Sequence, residues 1–275
     1  MLKDITLGQY FPGQSPLHRL DPRMKLILMI AFVVLIFFAR TLPSFVYLVI
    51  LVAALTAVSG IRVKALMKGL KPVVFISVFT AVINLFWTVG ETPLVSFWVI
   101  TIYPEGIWRA AYLIVRIMAL VAGTSLLLTY TTTPMELTDA LESLLSPLKK
   151  IHVPVHEFAM MMSLALRFVP TLIEETEKII NAQKARGTDF ESGSLLRRAK
   201  ALIPILIPLF VSSFNRASEL ATAMECRCYT GGEGRTRLKQ LRLTGFDWAC
   251  AALLLLSFAG IILTNYVPFP WGGVL

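Results

Sequence analysis

The chain has 275 residues, of which 56% are hydrophobic and only 16% charged, well below the roughly 25% of an average soluble domain. That shortage of charge points to lipid as part of the solvent. The net charge of +9 suits nucleic acid, anionic lipid or an acidic protein partner, but no Lys/Arg-rich nucleic-acid motif is present and the bases flank apolar segments. Membrane-flanking charge is therefore the first explanation and an acidic partner the second.

The start, Met1-Leu2-Lys3-Asp4, is polar, so no cleavable signal segment is expected. A spanning helix needs about 20 mainly apolar residues. The first candidate runs from Leu26 to Ala39, short but with Lys25 and Arg40 at its ends, whose stems can snorkel. The second runs from Pro43 to Gly60 and the third from Pro72 to Val89. The stretch from Thr92 to Tyr103, rich in Val, Ile, Phe and Trp, is expected to lie along the outer face. The fourth span runs from Ile107 to Tyr130 and contains Arg109 and Arg116, two turns apart on one face. They either line a substrate path, or Arg109 snorkels outward and Arg116 pairs with a buried acceptor.

The section from Thr131 to Gly245 holds 15 of the 26 basic and 12 of the 17 acidic residues. Thr133-Pro134-x-Glu136 starts a helix that should run to about Leu145 and end near Pro147. A second helix should follow Pro154 and carry Phe158, Met161, Leu164, Ala165, Phe168, Leu172 and Ile179 as one apolar stripe. It should end at Ala185-Arg186-Gly187, with Gly187 as the cap. A third should start near Ser194 and end by Tyr229-Thr230-Gly231-Gly232, kinked at Pro204 and Pro208. Its apolar middle, Ala201 to Phe214, is too short for a comfortable span. It is read as packed against other helices at the membrane surface, or else as one of a pair of extra spans with Met160–Phe168. The last span runs from Phe246 to Val267, and the tail after it is uncharged.

Bases cluster before the first span (Lys3, Arg19, Arg23, Lys25) and after the second (Arg62, Lys64, Lys68, Lys71), which places the N-terminus and the charged insert inside. The expected organisation is all-helical: 1–130 as N-terminal segment and four membrane helices, 131–245 as a cytoplasmic helical module, and 246–275 as the fifth membrane helix and external tail.

No chemistry is legible. There is no G-x-x-x-x-G-K-[ST] phosphate loop, and Gly231-Gly232-Glu233-Gly234-Arg235-Thr236 lacks both its spacing and its lysine. If ATP drives this protein, another chain binds it. His18, His152 and His156 are read as ordinary loop and surface residues that do not cluster with acids. Cys226-x-Cys228 has neither a second pair nor a histidine, so zinc is not expected. The predicted spans are read as free of carboxylates, which counts against a stand-alone secondary transporter coupled to protons or sodium. A membrane enzyme lacks a catalytic constellation. The constellation that stands out is a pair of helix ends, Ala185-Arg186-Gly187 and Cys226-Arg227-Cys228. Each sets one arginine between small neighbours at a helix C-terminus. Such an arginine can enter a partner's pocket, or simply suit the negative end of the helix dipole.

At these residues the chain resembles the transmembrane T component of energy-coupling factor (ECF) transporters. The resemblance covers nearly its whole length. It includes Gly8-Gln9-Tyr10-x-Pro12-Gly13-x-Ser15-x-Leu17-His18-Arg19-Leu20-Asp21-Pro22-Arg23-x-Lys25, Leu166-Arg167-Phe168-Val169-Pro170, Ala182-Gln183-Lys184-Ala185-Arg186-Gly187 and Ala223-Met224-Glu225-Cys226-Arg227-Cys228-Tyr229. The resemblance implies a non-catalytic subunit of a prokaryotic plasma membrane, joining two ABC-type ATPases, which bind ATP and Mg, to a substrate-capturing S component. It implies about three cytoplasmic coupling helices, with Arg186 and Arg227 docking into the ATPases, and no cofactor in this chain. Vitamins are the expected cargo. The second motif departs from the usual Ala-Arg-Gly, so the helix end there is expected to lack a glycine cap. Pro204, Leu206, Pro208, Phe210 and Phe214 are candidates for a platform under the S component.

Overall fold

Backbone groups in lipid have no water to bond, so a spanning chain closes its hydrogen bonds within helices. The computed structural model is built on that rule and describes residues 10–87, 95–97, 100–188, 190, 194–231 and 241–265. A single helical turn, α1 (Pro16–Arg19), precedes α2 (Pro22–Phe38), α3 (Leu42–Ser59) and α4 (Val63–Trp87). Then come α5 (Pro104–Thr124), which continues through a π-helical turn at Ser125–Thr129, and α6 (Pro134–Leu145), followed by a 3-10 turn at Ser146–Ile151. The order closes with α7 (Val155–Ala185), α8 (Leu195–Cys226) and α9 (Gly245–Asn265). Between α4 and α5 lies a small antiparallel hairpin, β1 (Val95–Phe97) with β2 (Ile100–Ile102), which pairs Val95 with Ile102. The stretch expected only to lie along the outer face thus folds back on itself, as β-branched and aromatic residues favour. The extreme N-terminus, the glycine-rich 232–240 stretch and the tail after Asn265 lie outside the described residues.

The chain divides into two compact units, one within Gly8–Ala140 and Leu241–Leu275, the other within Leu141–Gln240. In the first unit α2 packs on α5 and α9, α3 on the same two helices, and α4 along α5. The core joins Phe32, Leu35 and Ile36 of α2 to Phe45 and Leu48 of α3, Ala119 of α5 and Ile261 of α9. Gly123 lets α5 close on α2, since a Cβ there would lie 2.0 Å from the Phe32 ring.

Five described helices are long and apolar enough to cross a membrane: α3, α4, α5 with its π turn, α8 from Lys200, and α9. The number equals the expectation but the membership differs. At 17 residues, α2 is about 26 Å long, slightly under a bilayer core of about 30 Å. The helix α8 qualifies because it continues through Pro204 and Pro208 to Cys226. It is the least apolar of the five.

The N-terminal signature is a knot of polar contacts at one end of the first unit. Asp21 caps α2 by accepting the Arg23 N–H at 2.9 Å, with Pro22 at the first helical position. Its own backbone N–H donates to Asp247 Oδ1 at 2.9 Å. The other oxygen of Asp247 accepts from the Thr244 N–H at 2.6 Å and the Thr244 hydroxyl at 2.7 Å. The carboxylate thereby caps the first turn of α9, where the Asp247 N–H bonds the Thr244 carbonyl at 3.1 Å. Lys25, only 1% exposed, donates to the Thr131 carbonyl at 2.7 Å and, more weakly, to that of His18 at 3.4 Å. The Ser15 hydroxyl donates to His18 Nδ1 at 2.6 Å while His18 Nε2–H donates to the Phe11 carbonyl at 2.9 Å. The Phe11 N–H donates in turn to Tyr130 O at 3.1 Å.

Three expectations are corrected here. Lys25 does not snorkel outward; it turns inward and is buried. Asp247 is a carboxylate inside the last predicted span, at its very start, with its oxygens committed to the cap and to Asp21. His18 is a fixed joint of the knot rather than an ordinary loop residue. At the opposite end of α2, Asn265 Nδ2 donates to Phe38 O at 2.7 Å and its oxygen accepts from the Ser44 hydroxyl at 2.6 Å. That contact ties α2 to α9 a second time and brings in the start of α3.

Replacing Lys25 by methionine keeps the stem but strands the buried Thr131 carbonyl, a loss of about 1–3 kcal/mol. Thermal unfolding in detergent should show the Lys25→Met protein melting below wild type. An unchanged midpoint would mean that the lysine contact carries no stability.

Candidate functional site

The second unit is built on two long helices. At 31 and 32 residues, α7 and α8 are each about 47 Å long. Their contacts pair early residues of one with late residues of the other. The Arg216 guanidinium sits 6.0 Å from the Phe168 ring and donates to Glu175 Oε2 at 3.0 Å. The Ser212 hydroxyl also donates to Glu175. Further along, the Gln183 amide lies 3.5 Å from the Pro204 carbonyl. The helices therefore run antiparallel, and Arg186 and Arg227 lie at opposite ends of the pair. From Pro204, beside the end of α7, to Arg227 the separation along α8 is on the order of 30 Å.

The two ends have the same geometry. Arg186 is the C-cap of α7, with φ −83° and ψ 4°; Arg227 is the C-cap of α8, with φ −92° and ψ 16°. After Arg186, Gly187 takes the left-handed region at φ +86°. Its N–H donates to Lys184 O at 3.0 Å, and the Thr188 N–H to Gln183 O at 3.0 Å. After Arg227, Cys228 takes the same region at φ +56°. Its N–H donates to Glu225 O at 2.9 Å, and the Tyr229 N–H to Met224 O at 3.0 Å. Both are Schellman closures, in which the left-handed residue turns the chain back on the last carbonyls. The second motif therefore does not lose its cap: Cys228 performs the turn in place of glycine, at a steric cost of about 1–2 kcal/mol. All six residues of the two motifs, Ala185, Arg186, Gly187, Cys226, Arg227 and Cys228, are exposed, and both cysteines are free thiols.

The apolar middle of α8 packs on α7 along one side, as one expectation had it, but among the described residues its other side is uncovered. Ile205 is buried, but Leu206, Phe210 and Phe214, spaced four apart, are 59%, 72% and 66% exposed. Pro204 and Pro208 are exposed beside them. On α7 the expected apolar stripe is likewise uncovered at Phe158 and Met161. The two long helices thus offer arginines at their tips and a bare apolar surface along their length.

Sequence reasoning missed the Glu175, Ser212, Arg216 and Phe168 cluster that fixes the crossing. Arg216 sits at the end of an apolar run, and Glu175 within a helix that carries that much charge elsewhere, so neither called attention to itself. It also missed the His156 to Glu142 contact, 2.9 Å from Nδ1 to Oε1, which joins the end of α6 to the start of α7. His156 therefore does pair with an acid. Of the two arginines of α5, Arg116 donates to the Ala39 carbonyl at 2.8 Å and lies 5.3 Å from the Phe45 ring. This is the buried-acceptor alternative, which ties α5 to the end of α2. Arg109 is exposed. Among the described residues no group of three metal-ligating side chains occurs.

Five long apolar helices define a multi-pass membrane protein. The family model described as cobalt transport protein, CbiQ, matches residues 13–238. The chain is 52% identical over 269 residues to the energy-coupling factor transporter transmembrane protein EcfT of Ruminiclostridium cellulolyticum, an overlap of 98% of this chain and 100% of that one. It is 49% identical over 258 residues to the EcfT of Clostridium kluyveri, covering 92% and 95%. With the EcfT of Bacillus subtilis it shares 45% identity over 260 residues, covering 94% and 97%. The chain belongs to the EcfT family of transmembrane components of energy-coupling factor transporters.

The matched helix ends make opposite demands on substitution. Cys228→Gly should relieve the left-handed strain and slow deuterium exchange at the Tyr229 amide. Gly187→Val should do the reverse at the Thr188 amide, because a β-branched residue resists positive φ. Hydrogen-exchange mass spectrometry of the two ends reads both outcomes.

Proposed function

We propose that this chain couples ATP hydrolysis in two partner ATPases to substrate uptake through a separate S component, and catalyses nothing itself. The observation that carries the reading is the pair of matched helix ends. Two exposed arginines, each locked at a C-cap by the same closure, stand at opposite ends of an antiparallel pair. That arrangement suits two equivalent sockets on two copies of similar partners. A guanidinium at a helix end is planar and always charged, and it binds carboxylates or carbonyls in fixed geometry. The dipole of its own helix favours the positive charge there.

In this mechanism Arg186 and Arg227 each enter a groove on one ATPase. ATP and Mg are bound by those ATPases, and no cofactor is required in this chain. Closure of the ATPases on nucleotide moves the two tips. Rigid helices of about 47 Å carry that motion along their length. The Glu175, Ser212 and Arg216 cluster is the point about which α7 and α8 move together. The uncovered face of Pro204, Leu206, Pro208, Phe210 and Phe214 supports the S component and tilts it, releasing substrate inside. Although α8 is long enough to cross a membrane, it is the least apolar of the five such helices, and its apolar run from Ala201 to Phe214 is only about 21 Å long, which favours a surface platform over a span.

The clustered bases support a cytoplasmic N-terminus and cytoplasmic arginine tips in a prokaryotic plasma membrane. The cargo is set by the S component. The N-terminal signature favours the shared type of T component and hence vitamins, whereas the matched family model carries cobalt in its description.

Expressed with its partners, the Arg186→Ala and Arg227→Ala double variant should insert at wild-type level yet show uptake reduced to background. Uptake at the wild-type rate would overturn the mechanism.

A further inference from the structure

Two cavities meet at the knotted end of the first unit. One, of about 380 Å³, is bounded by Leu28 and Phe32 of α2, Leu51 and Ala54 of α3, and Leu253 and Leu254 of α9. Its wall is apolar apart from the Cys250 thiol and the Ser257 hydroxyl, and that hydroxyl is committed to the Leu253 carbonyl at 2.9 Å. The other cavity, of about 320 Å³, has an apolar wall from Phe11, Pro12, Ile61 and Ala65 into which Gln14, Ser15, His18 and Arg62 bring polar groups. The chain passes directly from one to the other twice. Ser15 and Ser59 line the second cavity, and their neighbours Pro16 and Val58 line the first. The cavities therefore abut.

An apolar cavity does not hold water, which needs several polar partners. Between helices that cross a membrane, the medium that can fill it is hydrocarbon. Along α9 the lining runs from Phe246 to Ser257, about 16 Å by helix rise. That is a slot with the proportions of an extended chain. At its end the adjoining cavity offers the exposed guanidinium of Arg62, a partner for an anion rather than for a neutral head. We propose that the two cavities form one site for a membrane phospholipid with an anionic head group. Its acyl chain lies between α2, α3 and α9, and its phosphate lies toward Arg62. So placed, the lipid bridges α1 and α9 to α3, a helix that the contacts of the knot do not reach.

The test uses the full-length protein in mild detergent, titrated with phosphatidylglycerol or with phosphatidylcholine of identical chains and read by native mass spectrometry. Wild type should retain one lipid, with about a fivefold preference for phosphatidylglycerol, the effect of one cation near the surface. Ala54→Trp, which fills the slot from its exposed rim, should abolish the retained lipid. Arg62→Gln should retain it but lose the preference. In a Cys226→Ser, Cys228→Ser background, phosphatidylglycerol should also slow maleimide labelling of Cys250, which decides the matter if the tryptophan variant fails to fold. A spread of loosely held lipids that Ala54→Trp leaves unchanged, or Cys250 labelling indifferent to lipid, would overturn the proposal.

Discussion

The buried ammonium of Lys25 on the Thr131 carbonyl is the contact on which the rest of the arrangement depends. Thr131 stands where the π-helical turn after α5 gives way to α6, the path by which the chain leaves the membrane unit for the helices that carry the arginines. A charge in that position has to be hydrogen-bonded or the burial is prohibitive. Lys25 meets that demand with carbonyls rather than with a direct carboxylate partner. Asp21 and Asp247, one helix turn away and across from it, are engaged in capping α2 and α9. One small polar cluster therefore fixes the starts of two membrane helices and the exit of the chain from a third.

The same logic of satisfied helix ends operates at the arginine tips, with a different purpose. A Schellman closure consumes the last carbonyls of a helix, so the tip is rigid without help from another element. The arginine at the C-cap is then the feature left to recognise. Gly187 makes that turn freely, while Cys228 makes it under strain at φ +56°. The two tips thus reach equal backbone geometry from unequal residues. The polar crossing at Glu175 and Arg216 is half-exposed, and such a pair contributes about 1 kcal/mol or less. It sets register between α7 and α8 more than it glues them.

Much of this was legible in the sequence, for definite reasons. The α6 start was readable because Thr133 and Glu136 have the spacing of a reciprocal cap, and they bond as one. The ends of α7 and α8 were readable from Gly187 and from the Tyr229-Thr230-Gly231-Gly232 run. The inward turn of Lys25 was not, since a lysine flanking an apolar run looks the same whether it snorkels or is buried. Asp247 carried a usable signal, Thr244-x-x-Asp247, that its position at the edge of a long apolar stretch obscured. The crossing cluster was not legible at all: which charges on two antiparallel helices meet depends on their register, and no local pattern encodes it. The resemblance to a transporter family ran along nearly the whole chain, and the segments that carried it include residues of the N-terminal knot and both arginine ends.

Co-purification tests the central claim most directly. The tagged chain, extracted in mild detergent from cells expressing the complete transporter, would be compared with the Arg186→Ala and Arg227→Ala double variant. The account predicts that two ATPase subunits accompany the wild type and that the variant loses them while still holding the S component. Wild type emerging without ATPases, or the variant retaining both in an active complex, would contradict it.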